Sequence, residues 1–211
     1  MSYHIAMDKE SHAPSPGRPQ SLTLDQQILA AALELFATVG WDGFSFAEVA
    51  RRARSTPPAI YRRYDSKADL IDAALRHELA TFNFATSDHG TLRADVHAWA
   101  SAVAKSITPK RVKILAALIL CAEEVPQLSR GFERHIQELT GASWMALIER
   151  ANFRGEIGSP NQDQAQLVQF VTSSLVMSAL AQNNPTESGI VEKLTDQIVM
   201  PLLQPMAAPT S

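Results

Sequence analysis

Apolar residues recur every three or four positions along most of the chain, which is the spacing of one face of an α-helix. The pattern predicts about nine helices, over roughly residues 24–39, 46–53, 57–64, 67–84, 91–107, 110–124, 128–153, 162–182 and 188–203. No stretch shows the alternating pattern of a β-strand, so the predicted fold class is all-α. The seventh and eighth helices are apolar on several sides, which indicates burial.

The second and third predicted helices are short and are separated only by Arg54-Ser55. Ser45 with Glu48 three residues later forms a capping box at the start of the second helix. Thr56 suits the N-cap of the third helix, and Pro57 suits its first helical position. Two helices joined by so short a turn, with the second one brief and basic, predict a helix-turn-helix unit.

The charge is distributed unevenly along the chain. The formal net charge is −3, which by itself argues against a nucleic-acid-binding protein. Residues 51–67, however, hold six positive side chains and one negative side chain, a local balance of +5. A local excess of this density predicts that one face of the protein binds DNA.

The helix-turn-helix suggests which residues contact DNA. Ser45, Thr56 and Lys67 lie at predicted helix N-termini, where free amides and the helix dipole favour a phosphate oxygen. Base contacts would come from the short third helix and the turn before it. The candidate DNA-binding residues are Ser45, Arg54, Thr56, Pro57, Pro58, Ala59, Tyr61, Arg62, Arg63 and Lys67.

Several motifs in residues 24–74 together resemble the TetR family of bacterial transcriptional regulators. They are Ile28-Leu29-x-x-Ala32-x-x-Leu35-Phe36, Gly40, Ser45, Val49-Ala50-x-x-Ala53, Ile60-Tyr61, Tyr64 and Ser66-Lys67-x-x-Leu70. The resemblance implies that Tyr61 and Arg63 lie at the DNA.

The sequence departs from the family in two places. Arg54-Ser55 stands where the family usually has Gly-Val, so we expect a strained or altered turn. The usual polar residues at the start of the third helix are replaced by Pro57-Pro58-Ala59. These three side chains cannot donate hydrogen bonds, so we expect them to read DNA shape and thymine methyl groups. Base hydrogen bonds would then come from Tyr61, Arg62 or Arg54.

The remainder of the chain resembles the helical body of TetR-type regulators, in the order and length of its helices and in the stretch 149–156, ERANFRGE. The resemblance implies a homodimer in which the last two long helices of each subunit form a four-helix bundle. Helices eight and nine also carry more apolar surface than one subunit can bury. The predicted organisation is an arm at 1–21, a helix-turn-helix domain at 22–74, a regulatory and dimerisation domain at 75–206, and a tail at 207–211.

Large apolar residues of this second domain predict a cavity for a small apolar or amphipathic effector. The candidate lining residues are Trp99, Cys121, Trp144, Met145, Phe170 and Met177, with His97, Cys121 and His135 as possible polar contacts. The alternative for each of these residues is an ordinary place in the core. The functional prediction is therefore a ligand-responsive regulator, a repressor, that binds palindromic operator DNA. The alternative function is an architectural or complex-forming DNA-binding protein without an effector.

Other classes of function lack support in the sequence. The six histidines form no close metal-ligand pair, no catalytic or phosphate-binding motif is present, and no cofactor is predicted. The single cysteine excludes an intrachain disulfide and fits a reducing cytoplasm. No apolar run reaches the roughly 20 residues needed to span a bilayer, so we expect a soluble protein. From the single cysteine and the missing motifs, we also expect it to be cytoplasmic and not an enzyme.

Overall fold

The computed structural model describes residues 23–84, 87–158, 162–182 and 189–203. These residues form helices α1 (Leu24–Val39), α2 (Phe46–Arg52), α3 (Pro57–Tyr61), α4 (Lys67–Leu79), α5 (Leu92–Ser106), α6 (Pro109–Leu120), α7 (Pro126–Phe153), α8 (Gln162–Gln182), α9 (Ile190–Lys193), a π-helical segment (Leu194–Val199) and α10 (Met200–Leu203). No β-strand occurs among them, and the all-α prediction is confirmed. The predicted arm, the tail and the predicted helix start at Ser188 lie outside the described residues.

Helices α1–α4 form a unit that we call the head, and α1 lies at its centre. Its inner face contributes Ile28, Ala32, Leu35 and Phe36, all of them buried. The start of α1 carries a capping box, in which the Thr23 hydroxyl accepts from the Gln26 amide and the Gln26 side chain accepts from the Thr23 amide. The sequence reading predicted the bounds of α1 correctly but did not identify this cap.

Three helices end earlier than the hydrophobic pattern predicts. Helix α3 ends at Tyr61 instead of about residue 64, α4 at Leu79 instead of about 84, and α6 at Leu120 instead of about 124. The reason at α4 is tertiary, because Phe84 turns into the core of the body and Phe82 packs against Arg111. Burial of two aromatic rings outweighs the few helical hydrogen bonds that a longer α4 would gain.

The predicted ninth helix is not regular. It runs as α9, the π-helical segment and α10 without a break, and the Met200 amide donates to the Thr195 carbonyl five residues back. Pro201, which has no amide hydrogen, interrupts the regular hydrogen-bond ladder just beyond this segment.

Helices α5–α10, which we call the body, hold a second core. Trp99 and Trp144 lie at its centre, fully buried, with an edge-to-face arrangement and ring centroids 5.0 Å apart. The core of the head does not stop at the predicted boundary after residue 74, since it continues into α6 and the start of α7 through Ile114, Leu118 and Leu128. Movement of α6 or α7 would therefore shift side chains in the core of the head.

A buried carboxylate links the start of α5 to the end of α7. Asp95 on α5 is fully buried, and its oxygens lie 2.9 Å from the His89 amide and 2.9 Å from Nη2 of Arg154. Arg154 also contacts Glu156 at 2.6 Å, and Glu156 in turn accepts from the Leu92 amide at the start of α5. Part of the family-like stretch 149–156 thus holds the end of α7 against the start of α5.

None of the described helices is both long and apolar enough to cross a membrane.

Candidate DNA interface and ligand cavity

The turn between α2 and α3 keeps the backbone shape that a glycine would normally provide. Arg54 has φ of +51°, the only positive φ of a non-glycine residue in the described part of the chain. The Ser55 amide donates to the Ala50 carbonyl at 2.8 Å, as in a Schellman motif that closes a helix end. Of the two expectations, a strained or an altered turn, the structure agrees with the first, and the left-handed conformation of Arg54 costs about 1–2 kcal/mol relative to an ordinary helical conformation.

The left-handed turn sets α3 across the surface with several candidate DNA-binding residues exposed. These are Ser45, Arg54, Thr56, Pro57, Pro58, Tyr61, Arg62 and Arg63, whereas Lys67 is half-buried. The Ser45 hydroxyl caps α2 by accepting from the Glu48 amide, but the Thr56 hydroxyl makes no such bond to α3. Ala59 differs from its neighbours because its side chain is buried, at 7% exposure, so its methyl group faces the core.

Two of these residues are held by aromatic partners. The Tyr61 ring is 62% exposed and packs edge-on against Phe46, with centroids 4.7 Å apart. The Lys67 ammonium lies 5.2 Å from the centre of the Trp41 ring, a cation–π contact. Both contacts limit side-chain freedom on the exposed face and so reduce the entropy lost on binding.

The basic residues differ in how far they are already paired. Arg51 and Arg52 both bind Glu48, at 2.7 and 2.8 Å, and these hydrogen bonds lower the pKa of Glu48 to about 2. Arg63 binds Asp25 of α1 at 2.7 Å and donates to the Ala59 carbonyl. Glu48 and Asp25 lie outside residues 51–67, so counting them lowers the local balance from +5 to +3.

Arg54 and Arg62 make no ion pair with any other described residue, and both are exposed. Together with Lys67 they are the positive charges of the head that are most available to a phosphate or a base edge. The family resemblance places Arg63 at the DNA. To contact DNA, Arg63 would have to break its ion pair with Asp25 or bind with that pair intact.

A cavity of about 490 Å³ lies where α4 of the head meets α5, α6, α7 and α8 of the body. Its volume falls within the range typical of small-molecule sites. Its walls are largely apolar side chains, among them Leu75, Phe82, Val103, Leu118, Phe132, Ile136 and Val176. Because Leu75 also belongs to the core of the head, one wall of the cavity is shared with the head.

The cavity differs from the set of residues predicted from sequence, of which only Met177 lines it. Trp99 and Trp144 lie in the core of the body, Met145 packs beside them, and Cys121 is buried in the core shared by the head and α6. Phe170 is exposed on α8. Of the two histidines, His97 lies 3.5 Å from Glu192 and His135 bonds the Gly131 carbonyl, and neither lines the cavity.

Arg111 links α6 to α4, two of the helices that border the cavity. Its guanidinium donates to Glu78 of α4 at 2.8 Å, to the Ser106 carbonyl at 2.7 Å and to the Thr81 hydroxyl at 3.1 Å. Its carbon centre also lies 3.9 Å from the Phe82 ring. The hydrophobic pattern points to neither Arg111 nor Glu78, because their only signal in the sequence is a pair of opposite charges within helices that are otherwise apolar on one side.

Among the described residues no group of three or more His, Cys, Asp or Glu side chains is placed to hold a metal ion.

Comparison with known proteins gives matches to both parts of the chain. The family model described as "Bacterial regulatory proteins, tetR family" matches residues 28–74. A second model, described as "Tetracyclin repressor-like, C-terminal domain", matches residues 86–198.

Individual relatives agree with these matches over most of the chain. A DNA-binding transcriptional repressor TetR from Mycobacteroides abscessus is 30% identical over 185 residues, which cover 88% of this chain and 96% of that protein. A crystal structure from Mesorhizobium loti, assigned to the TetR family, shares the fold with a TM-score of 0.68 at 18% identity, over 85% of this chain and 95% of the other. Salmonella enterica GusR gives a TM-score of 0.66 at 19% identity, over 85% and 95% of the two chains.

The matched relatives are transcriptional regulators, in agreement with the expectation that this chain is not an enzyme. The helix-turn-helix of α2 and α3, the helical body and these matches lead to one assignment: the chain belongs to the TetR family of bacterial transcriptional regulators.

Proposed function

We propose that this regulator is a repressor that binds palindromic operator DNA as a homodimer and is released by a small apolar or amphipathic molecule. The observation that carries the proposal is the cavity beside α4, because a ligand there would touch the helix on which the head is mounted. The relative from Mycobacteroides abscessus is itself named a repressor, which supports the sign of the regulation.

A ligand shifts the head only if its affinity differs between two arrangements of the head and body. Leu75 and Glu78 of α4 line one side of the cavity, while Val112 and Leu118 of α6 line another. Filling the space between them would favour one separation of α4 and α6. In a dimer, that separation would set the distance between the two heads and hence their fit to the two half-sites.

The dimer is supported by the exposed face of α8. Phe170 is 49% exposed and Met177 is 63% exposed, and from Gln164 to Gln182 the helix carries no charged residue. A twofold interface brings like residues close to one another, so an uncharged apolar face suits contact with a second copy.

The proposal is tested by selecting the binding site from random DNA with the full-length chain and then screening small molecules for release of that site. We expect a palindromic site and release by an apolar compound that also raises the melting temperature of the protein. Release is expected to fail in Ile136→Trp, which fills the cavity, while DNA binding is retained. A selected site without symmetry, or compounds that bind the protein without affecting its DNA affinity, would favour the architectural role instead.

The pairing of Arg63 with Asp25 leads to a separate prediction for the head. Asp25→Asn should raise operator affinity by about five- to tenfold at low salt, because it frees Arg63 and removes a negative charge near the phosphates. Binding measured by fluorescence anisotropy at several salt concentrations would show the gain shrinking as salt rises.

Asp42→Asn is the matched control, since Asp42 is an exposed carboxylate of the head for which the structure gives no arginine partner. It should change affinity less than Asp25→Asn. A loss of affinity in Asp25→Asn would instead mean that the ion pair holds Arg63 in the orientation that DNA binding needs.

A further inference from the structure

We propose that the ligand of the cavity is an uncharged, mostly apolar molecule that donates its hydrogen bonds, such as a long-chain alcohol or a phenol, and that carboxylates of the same length bind more weakly. The inference rests on the proposed function, in which this cavity is the effector site. It follows from the charges and hydrogen bonds that the lining residues have already satisfied.

Among the described residues of the lining, the one positively charged side chain is already paired. Arg111 is bonded to Glu78 at 2.8 Å, and it also donates to the Ser106 carbonyl and the Thr81 hydroxyl. Burial raises the pKa of Glu78, but hydrogen bonds from Arg111 and Lys110 outweigh this effect, so the pKa lies below its ordinary value and Glu78 is ionised at neutral pH. An incoming carboxylate would therefore meet a cation whose charge Glu78 already neutralises.

The remaining charge on the lining also disfavours an anion. Glu133 is exposed and accepts a hydrogen bond from Gln137 at 3.2 Å. With Lys110, which binds Glu78 at 3.2 Å, the charges around the cavity are two positive and two negative. These four charges sum to zero, so a neutral ligand needs no counter-charge. Of the four side chains, Glu133 is the one that forms no ion pair with another described residue.

Four of the five hydroxyl groups on the lining have their hydrogens committed, and the fifth belongs to the exposed Ser173. Thr140, Thr172 and Ser106 each donate to a carbonyl of their own helix at 2.7 Å, and Ser129 donates to the Leu118 carbonyl at 3.0 Å. A hydroxyl has a single hydrogen but two acceptor lone pairs, so toward a ligand these four groups can only accept. A ligand hydroxyl would find several acceptors there, whereas a carbonyl or carboxylate oxygen would find a donor only in Ser173 or in the two N–H groups of Arg111 that remain.

The cavity is open to solvent on one side, where Glu133 and Met177 are exposed, so the cost of a missing partner falls on a polar ligand atom held against the apolar inner walls. An unsatisfied buried acceptor costs about 1–3 kcal/mol, and an unpaired ionised group costs more. Because about 1.4 kcal/mol corresponds to a tenfold change in affinity, the lining should separate alcohols clearly from carboxylates of the same length.

The test compares three probes of equal carbon number on the full-length chain by titration calorimetry: decanol, decanoate and methyl octyl ketone. We expect decanol to bind about tenfold or more tightly than decanoate, and at least about threefold more tightly than the ketone. Decanoate as the tightest ligand would overturn the inference while leaving the effector cavity in place, and so would a ketone that matches decanol. Failure of all three to bind a chain that still binds DNA would contradict the cavity as the effector site, and the inference with it.

A charge-altering variant tests the role of the ion pair directly. Glu78→Gln leaves Arg111 without its carboxylate partner, so decanoate affinity should rise about tenfold while decanol affinity stays within about twofold. Glu138→Gln, which removes an exposed carboxylate of α7 away from the cavity, should change neither. An unchanged preference in Glu78→Gln would mean that the pair does not set the selectivity, and if this variant fails to fold, the three-probe comparison on the natural chain decides the matter.

Discussion

Replacing both Phe170 and Met177 of α8 by glutamate is expected to convert the protein into a monomer and to lower its affinity for operator DNA by about a hundredfold or more. Both side chains are about half exposed or more, on a helix stretch that carries no charge. In a twofold interface each glutamate would lie near its own copy, so the variant adds like-charge repulsion to the loss of apolar contact. A single head then binds one half-site without the gain that linked binding provides, which is about 10²–10⁴ in favourable cases.

Sedimentation velocity and DNA titration on the selected operator would measure the two effects. Phe153→Glu is the matched control, because Phe153 is 93% exposed at the end of α7 and receives the same substitution. It should remain dimeric and bind DNA normally. A double variant of α8 that stays dimeric would place the subunit contact on another face, and a monomer with undiminished affinity would contradict binding by paired heads.

Asp95→Ala is expected to lower the free energy of unfolding by about 3 kcal/mol, a large share of the roughly 5–15 kcal/mol typical of a folded domain. Asp95 is fully buried, and its loss would leave Arg154, only 18% exposed at its side chain, without its inner partner. Arg154 retains Glu156 and Asp88, so the cost should fall near the lower end of the range for broken buried ion pairs.

Asp88→Ala serves as the control for this network. Asp88 contacts the same arginine at 2.7 Å but is 54% exposed, and exposed ion pairs contribute at most about 1 kcal/mol. Chemical denaturation of the two variants and the natural chain would show the difference. Equal losses in both variants would mean that burial of Asp95 contributes nothing beyond an ordinary surface pair.

The stabilisation that Asp95 provides depends on pH. Burial raises the pKa of Asp95, but hydrogen bonds from His89 and Arg154 outweigh it, so the pKa lies below its ordinary value. A lowered pKa means that the stabilisation is complete above the ordinary value of about 3.9 and is lost as pH falls through the lower, folded-state value. The gap in stability between the natural chain and Asp95→Ala should therefore be constant near neutrality and narrow only in acid.

The head shows how far local chemistry reaches. The sequence reading located α1–α3 to within a few residues, because caps such as Ser45 and the apolar spacing of α1 act within one or two helical turns. It left open whether the turn at Arg54 is strained or altered, and the φ of +51° shows that the turn keeps its shape with Arg54 strained. The charge count was less complete, since Glu48 and Asp25 bind three of the arginines from outside the basic stretch.

By itself, the sequence determined the all-α class, the helix-turn-helix and the family, all of which follow from periodicity, caps and motifs that are local in the chain. Only the tertiary structure decided where α4 ends, that Ala59 faces inward, that Trp99 and Trp144 belong to the core, and that Glu78 and Arg111 border the cavity. Whether a large apolar side chain fills a core or lines an empty space depends on how helices distant in sequence pack together. The same apolar spacing serves both outcomes, and the packing of α4, α6, α7 and α8 chooses between them.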